Sequence, residues 1–241
     1  MKPSGHVDAV EHELAALHEA VAGGDMTAAV PTCEGWTVVD LATHVGQFCG
    51  FWAHVLCEGT GRPKADVAEP ADPAARAAWL KDAGDHILAE LRATPPETPV
   101  WTWYEPDRTA GFVARRSAHE LAVHRYDAQS ARRRCEPIEA ALAADGLDEL
   151  LGPLLTTRPR SGKASGQTIH LHGTDVEEAE WLLTLLPDRI DVEKQHAKGD
   201  LALRGAVSDL ELLLFERPPL GEVERLGDPA ALAAWYREFR F

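Results

Sequence analysis

The chain is short of positive charge. Of 241 residues, 24 are Lys or Arg and 39 are Asp or Glu, a formal net charge of −15. Proteins hold nucleic acid by neutralising phosphates with Lys and Arg, so no nucleic-acid partner is expected. The basic runs Arg115-Arg116 and Arg132-Arg133-Arg134 are short and read as solvated helix faces. Long apolar runs are also lacking, and none nears the roughly 18 residues of a membrane span. Met1 to Val10 shows no basic stretch followed by an apolar one, so no secretory signal is read there. The four cysteines, Cys33, Cys49, Cys57 and Cys135, make no C-x-x-C pair and no zinc-ribbon spacing. They read as reduced thiols of a cytoplasmic protein, mostly packed as small hydrophobes.

What is present is an ordinary globular composition, 45% hydrophobic and 26% charged, in two parts with different periodicity. The first part reads as helices: 6–21, with Val10, Leu14, Leu17 and Val21 on one stripe; 37–57, with Thr37 and Asp40 as a capping box; 72–93, with Pro73 in its first turn; 111–133; and 137–155, bending at Gly146. A Pro-rich connection over 94–110 carries Trp101, Trp103 and Tyr104, placed either along a cleft or across the bundle end. Residues 156–167 have the composition of an exposed linker. Short strand-like runs follow at 168–172, 180–186, 189–193 and 201–204. Ser208 and Glu211 then suggest a capping box, and Asp228-Pro229 starts a last helix. The expected fold class is α+β: a helical bundle over residues 1–158 and a small α+β domain over 165–241.

The chemistry concentrates in Ser117-Ala118-His119-Glu120-Leu121-Ala122-Val123-His124. This differs from the protease pattern H-E-x-x-H by one residue too many. On a helix His119 and His124 are about 140° apart, whereas Glu120 and His124 are about 40° apart and share a face. His44 interrupts the apolar stripe of the second helix, Leu41, Val45, Phe48, Trp52 and Val55. Two readings stand at this point. The residues are a hydrogen-bonded core histidine and a solvated Glu–His pair, or they are three ligands, His44, Glu120 and His124, with one coordination position left open. Asp127, one turn beyond His124, is placed to orient a ligand imidazole.

At these residues the chain resembles the mycothiol-dependent maleylpyruvate isomerase family of DinB-like metal-binding helical bundles. The resemblance rests on Val30-Pro31-Thr32-Cys33-Glu34-Gly35-Trp36-Thr37-Val38 with Asp40-Leu41 and His44, and on Arg115 to Glu120 with Val123 to Ala128. It extends, more weakly, to Ile169 to His172, His196 to Asp200, Arg204-Gly205 and Ser208 to Leu210. It implies a divalent metal, zinc in the usual case, on His44, Glu120 and His124, and mycothiol as thiol cosubstrate. A thiolate generated there adds to the double bond of maleylpyruvate, the resulting single bond rotates, and elimination returns the thiol. The same thiolate can instead be transferred to an electrophile. The family also implies a C-terminal arginine for substrate. Arg217 is the match, with Glu216 where the family often has a further arginine, and Arg204 is the second choice.

The resulting expectation is a metal-dependent isomerase or S-transferase with a small-molecule thiol and an electrophilic substrate as partners, monomeric or homodimeric. The C-terminal domain would close the cleft. Two rivals use the same residues: a hydrolase with a metal-bound water, and a binding protein without turnover. Trp36 reads as a core anchor, Cys33 as a buried thiol, and His170 and His172 as packed or hydrogen-bonded residues of the second domain.

Overall fold

The computed structural model describes residues 1–59, 61–62, 67–157 and 160–239. The chain divides into two compact units, 1–136 and 137–241. The division lies upstream of the linker expected at 156–167, because the fifth helix packs with the C-terminal elements. Within that stretch, 158–159 lie outside the described residues.

The first unit holds four long helices: α1 (Pro3–Ala22), α2 (Val38–Glu58), α3 (Arg76–Ala93) and α4 (Ala110–Ala131). Helix α1 packs on α4 and α3, and α2 packs on α3 and α4, so the four enclose one core. Their ends follow the sequence closely. Thr37 and Asp40 form the reciprocal capping box of α2, a cap whose loss costs about 1 kcal/mol. Asp72 caps a short 3-10 turn, Pro73–Ala75, that leads into α3, and Thr109 caps α4. Trp101 closes on Phe51 and Trp52, while Trp103 and Tyr104 close on Phe112. These aromatics therefore cap the bundle.

Helix α4 is buried along most of its circumference, and its rotation is fixed by charge. Arg125, buried in the α1–α4 contact, donates from Nε to Glu13 Oε2 at 2.7 Å. Its Nη1 donates to Gln129 Oε1 at 2.8 Å and to the Glu136 carbonyl at 2.7 Å. With Arg125 turned toward α1, its neighbour His124 must look elsewhere, about 100° around the helix.

The second unit contains α5 (Ala140–Leu151), a five-stranded sheet, α6 (Val207–Leu214) and α7 (Ala230–Glu238). Helix α5 passes through Gly146 and ends at Gly152. At Gly146 the Glu211 carboxylate of α6 approaches so closely that it occupies the space a Cβ would take. The strands are β1 (Gln167–Gly173), β2 (Glu180–Leu185), β3 (Ile190–Glu193), β4 (Leu201–Gly205) and β5 (Glu224–Gly227), in the order β3-β2-β1-β4-β5. Only β1 and β4 run parallel; the other neighbours are antiparallel. One sheet face is apolar and buried (Ile169, Leu171, Trp181, Leu183, Leu185, Leu201 and Leu203). The alternate residues, among them His170, His172, Glu180 and Arg204, share the other face.

Strand β5 lies outside the strand-like runs expected from the sequence: all four of its residues are exposed, with no alternating apolar pattern, and it is held by backbone pairing to β4. One local expectation is corrected. The Ser208–Glu211 capping box does not form: α6 begins before Ser208, and Asp175 accepts from the Val207 amide. Ser208 Oγ instead accepts from the Ile138 amide at 2.9 Å.

Breaking a buried ion pair by removing one partner leaves an uncompensated charge. Glu13→Ala is therefore expected to lower the unfolding free energy by about 3 kcal/mol, measured by urea denaturation, and Glu13→Gln by less. A loss below about 1 kcal/mol would show that the α1–α4 pair does not fix the rotation of α4.

Candidate metal centre

His44 comes from α2 and Glu120 and His124 from α4, and the fold brings one ligand atom of each within 4.8 Å of the others. Glu120 Oε1 lies 3.0 Å from His44 Nε2 and 3.4 Å from His124 Nε2. The Glu120 and His124 side chains are largely enclosed, while that of His44 is 40% exposed. His44 thus stands at the margin of the α2 stripe, where it opens the group to solvent.

Asp127, fully buried, accepts from His124 Nδ1 at 2.9 Å through Oδ2. An ionised carboxylate only accepts, so Nδ1 carries the hydrogen. In neutral His124 that leaves a lone pair on Nε2, facing a carboxylate oxygen. A proton on Nε2 joins the pair in the metal-free protein, as the raised imidazole provides, and a divalent ion in its place would serve all three atoms at once. Two imidazoles and a carboxylate suit zinc. Asp127 also accepts from Cys33 Sγ at 3.4 Å, so the thiol supports the carboxylate that orients His124.

Arg116 was missed by the reading of its run as a solvated face. It is buried and pairs with Glu120 Oε2, one turn away, leaving Oε1 for the two histidines. The four-residue spacing to Glu120 was the available signal. Burial works against an ionised Glu120, but Arg116, with hydrogen bonds from His124 and His44, holds its carboxyl well below the usual range. Burial likewise disfavours a charged His124, yet Asp127 and Glu120 outweigh it and raise the imidazole to about 9. Burial, with the Glu120 charge, pushes the Cys49 thiol up to about 12, so it stays protonated at neutral pH.

Trp36 is corrected from core anchor to site wall. It is half-buried, its ring centroid 5.2 Å from that of His44 and 6.4 Å from that of His124, nearly parallel to the latter. His119 turns to α1, its ring 6.0 Å from His6, as the helical offset requires. The cysteines are free, but among them only Cys49 is fully buried.

The two arginines expected near substrate lie in the second unit. Arg217 follows α6, is buried, and donates from Nη1 to the Phe215 carbonyl at 2.7 Å. Just before it Glu216 takes φ 61°, a left-handed conformation that ends α6 and turns the chain. Arg204 lies on the open sheet face, half-exposed and 3.8 Å from Glu224. No helix among the described residues is long and apolar enough to cross a membrane.

Comparison with known proteins yields one family model, the mycothiol maleylpyruvate isomerase N-terminal domain, matching residues 7–129. Among solved structures, a histidine-to-alanine mutant of mycothiol-dependent maleylpyruvate isomerase matches with a TM-score of 0.65 at 13% identity, covering 93% of each chain. Another structure of mycothiol-dependent maleylpyruvate isomerase matches with a TM-score of 0.55 at 14% identity, again over 93% of each chain. At such identities the likeness shows the α+β fold. No curated protein matches the chain.

In the metal-free protein, a His124 raised to about 9 has a definite pH signature. Its ion pairs contribute stability that is fully present below its unfolded value of about 6.5 and is lost as pH rises through about 9. Metal binding should run the other way, since it needs the neutral imidazole and displaces the proton. Zinc affinity is expected to rise by about tenfold per pH unit across this window. Isothermal titration from pH 6.5 to 9 checks it, and an affinity flat over that range would contradict the assigned protonation.

Proposed function

The chain belongs to the mycothiol maleylpyruvate isomerase family, and from this premise we propose that it is a metal-dependent enzyme using mycothiol. Its reaction is cis–trans isomerisation of an electrophilic alkene or transfer of the thiol to an electrophile. The observation that carries this reading is the convergence of His44 Nε2, Glu120 Oε1 and His124 Nε2 beside a solvent-facing edge. Three protein ligands leave a position free, the arrangement of a catalytic rather than a structural site. A divalent ion bound there, with zinc the expected one, would lower the pKa of an incoming thiol and supply thiolate at neutral pH.

The residues of the chain prepare that position. Asp127 retains the Nδ1 proton of His124 and so aims Nε2 at the site. Arg116 keeps Glu120 ionised while occupying only its far oxygen. Trp36 covers the imidazoles of His44 and His124 and excludes water from that side. An anionic group on the second substrate would be met by Arg217 first and Arg204 second. The left-handed Glu216 fixes the backbone from which the Arg217 side chain departs.

Turnover of a maleylpyruvate-type cis-alkene and of a panel of alkyl electrophiles, assayed with and without mycothiol, tests the proposal. Activity should require the thiol, fall by at least about 100-fold in His124→Ala, and stay near wild type in His119→Ala. Equal losses in the two variants would mean that the other face of α4 carries the site. Ester or amide hydrolysis without thiol would replace the proposal with the hydrolase reading.

A further inference from the structure

We propose that the C-terminal domain carries a metal site of its own, in which His170, His172, His196 and Glu180 bind one divalent transition-metal ion of the zinc class. Three of the four residues are placed by sheet register. His170 and His172 alternate along β1 onto the open face, and Glu180 of β2 stands directly opposite His172. The fourth arrives on the connection 194–200, which leaves β3 and must pass β2 and β1 to enter β4. That connection is tied down where it reaches β1. The Asp200 carboxylate accepts from the Thr168 amide and hydroxyl at 2.8 and 2.9 Å. Gly199 lies so near β1 that a Cβ there would be 3.0 Å from the His170 amide nitrogen.

The four side chains converge on one point. Glu180 Oε2 is 3.1 Å from His170 Nε2 and 2.7 Å from His196 Nδ1, and Oε1 is 3.0 Å from His172 Nδ1. One ligand atom from each lies within 4.8 Å of all the others. The three imidazole planes are mutually steep, at 75°, 88° and 80°, with centroids 5.3–6.1 Å apart. Three rings sharing a tetrahedral ion at metal–nitrogen distances of about 2.0–2.1 Å would have centroids roughly 5 Å apart. A contraction of less than about 1 Å would thus close the shell.

A purely hydrogen-bonded cluster accounts for less of this arrangement. His196 is 78% exposed on its side chain, and an exposed pair with a carboxylate gains at most about 1 kcal/mol. That gain does little to hold a third imidazole edge-on to two others. The donor set narrows the ion: three imidazoles and one carboxylate favour zinc and its neighbours over magnesium or calcium, which require oxygen ligands. Four protein ligands make a closed shell, the structural form. Its consequence in this fold is to staple the connection 194–200 to the sheet face.

The test counts zinc in the full-length protein after metal removal, reloading and gel filtration, using wild type, His124→Ala and His170→Ala/His196→Ala. The C-terminal site predicts one bound equivalent in His124→Ala and one equivalent fewer than wild type in the double variant. This holds whether or not the helical bundle binds an ion, so failure of one site is distinguishable from failure of the other. Circular dichroism verifies folding, and exposed His196→Ala alone serves where the double variant does not fold. In wild type, zinc should also slow tryptic cleavage at Lys194 and Lys198, an effect lost in His196→Ala. An unchanged zinc content in the double variant, or no zinc in His124→Ala, would overturn the proposal.

Discussion

A carboxylate enclosed by helices must be kept charged if it is to serve as a ligand, and the N-terminal unit is arranged around meeting that condition at Glu120. Desolvation alone would neutralise the group. Arg116 on one oxygen and two imidazoles on the other reverse the balance. The pair Arg116–Glu120 sits one turn apart on α4, so its geometry comes with the helix. The remaining requirement is rotational, and Arg125 meets it by binding Glu13 of α1. Removing ions from water is expensive, and such pairs stabilise less than apolar residues of equal volume. Two buried pairs on one helix are better understood as fixing a particular orientation than as adding stability.

The parts of the fold written in local chemistry were legible in the sequence. The Thr37–Asp40 capping box and the apolar stripes of α1 and α2 depend on neighbours within a few residues, and the fold has both. Helical geometry alone pairs Glu120 with His124, whereas spacing alone leaves His44 open between core residue and ligand, since its partners lie on another helix. Features set by distant partners were not legible. Arg116 looked like half of a solvated run, because its burial depends on packing by other helices. Trp36 looked like core, but the histidines it covers come from α2 and α4. Strand β5 exists through its pairing with β4 and carries no pattern of its own. The unit boundary at 136–137 follows from the packing of α5 with α6, which no local composition announces.

Each unit places histidines around one glutamate, by different means. In the bundle, the candidate ligands come from two helices, and three of them would leave one position free. On the sheet, register aligns His170, His172 and Glu180, and a crossing connection adds His196. The difference in ligand number separates the two roles: an open shell suits chemistry on a small thiol, and a closed one suits fastening an exposed segment.

The claim on which the functional account rests is that His44, Glu120 and His124 share one ion. Anomalous diffraction at the zinc edge, from crystals of the metal-loaded protein, examines it without reference to activity. The account predicts a peak at about 2.0–2.2 Å from His44 Nε2, Glu120 Oε1 and His124 Nε2, with His119 turned away toward α1. Zinc-loaded crystals with no peak among these three atoms, and with His124 still hydrogen-bonded to Glu120, would contradict it.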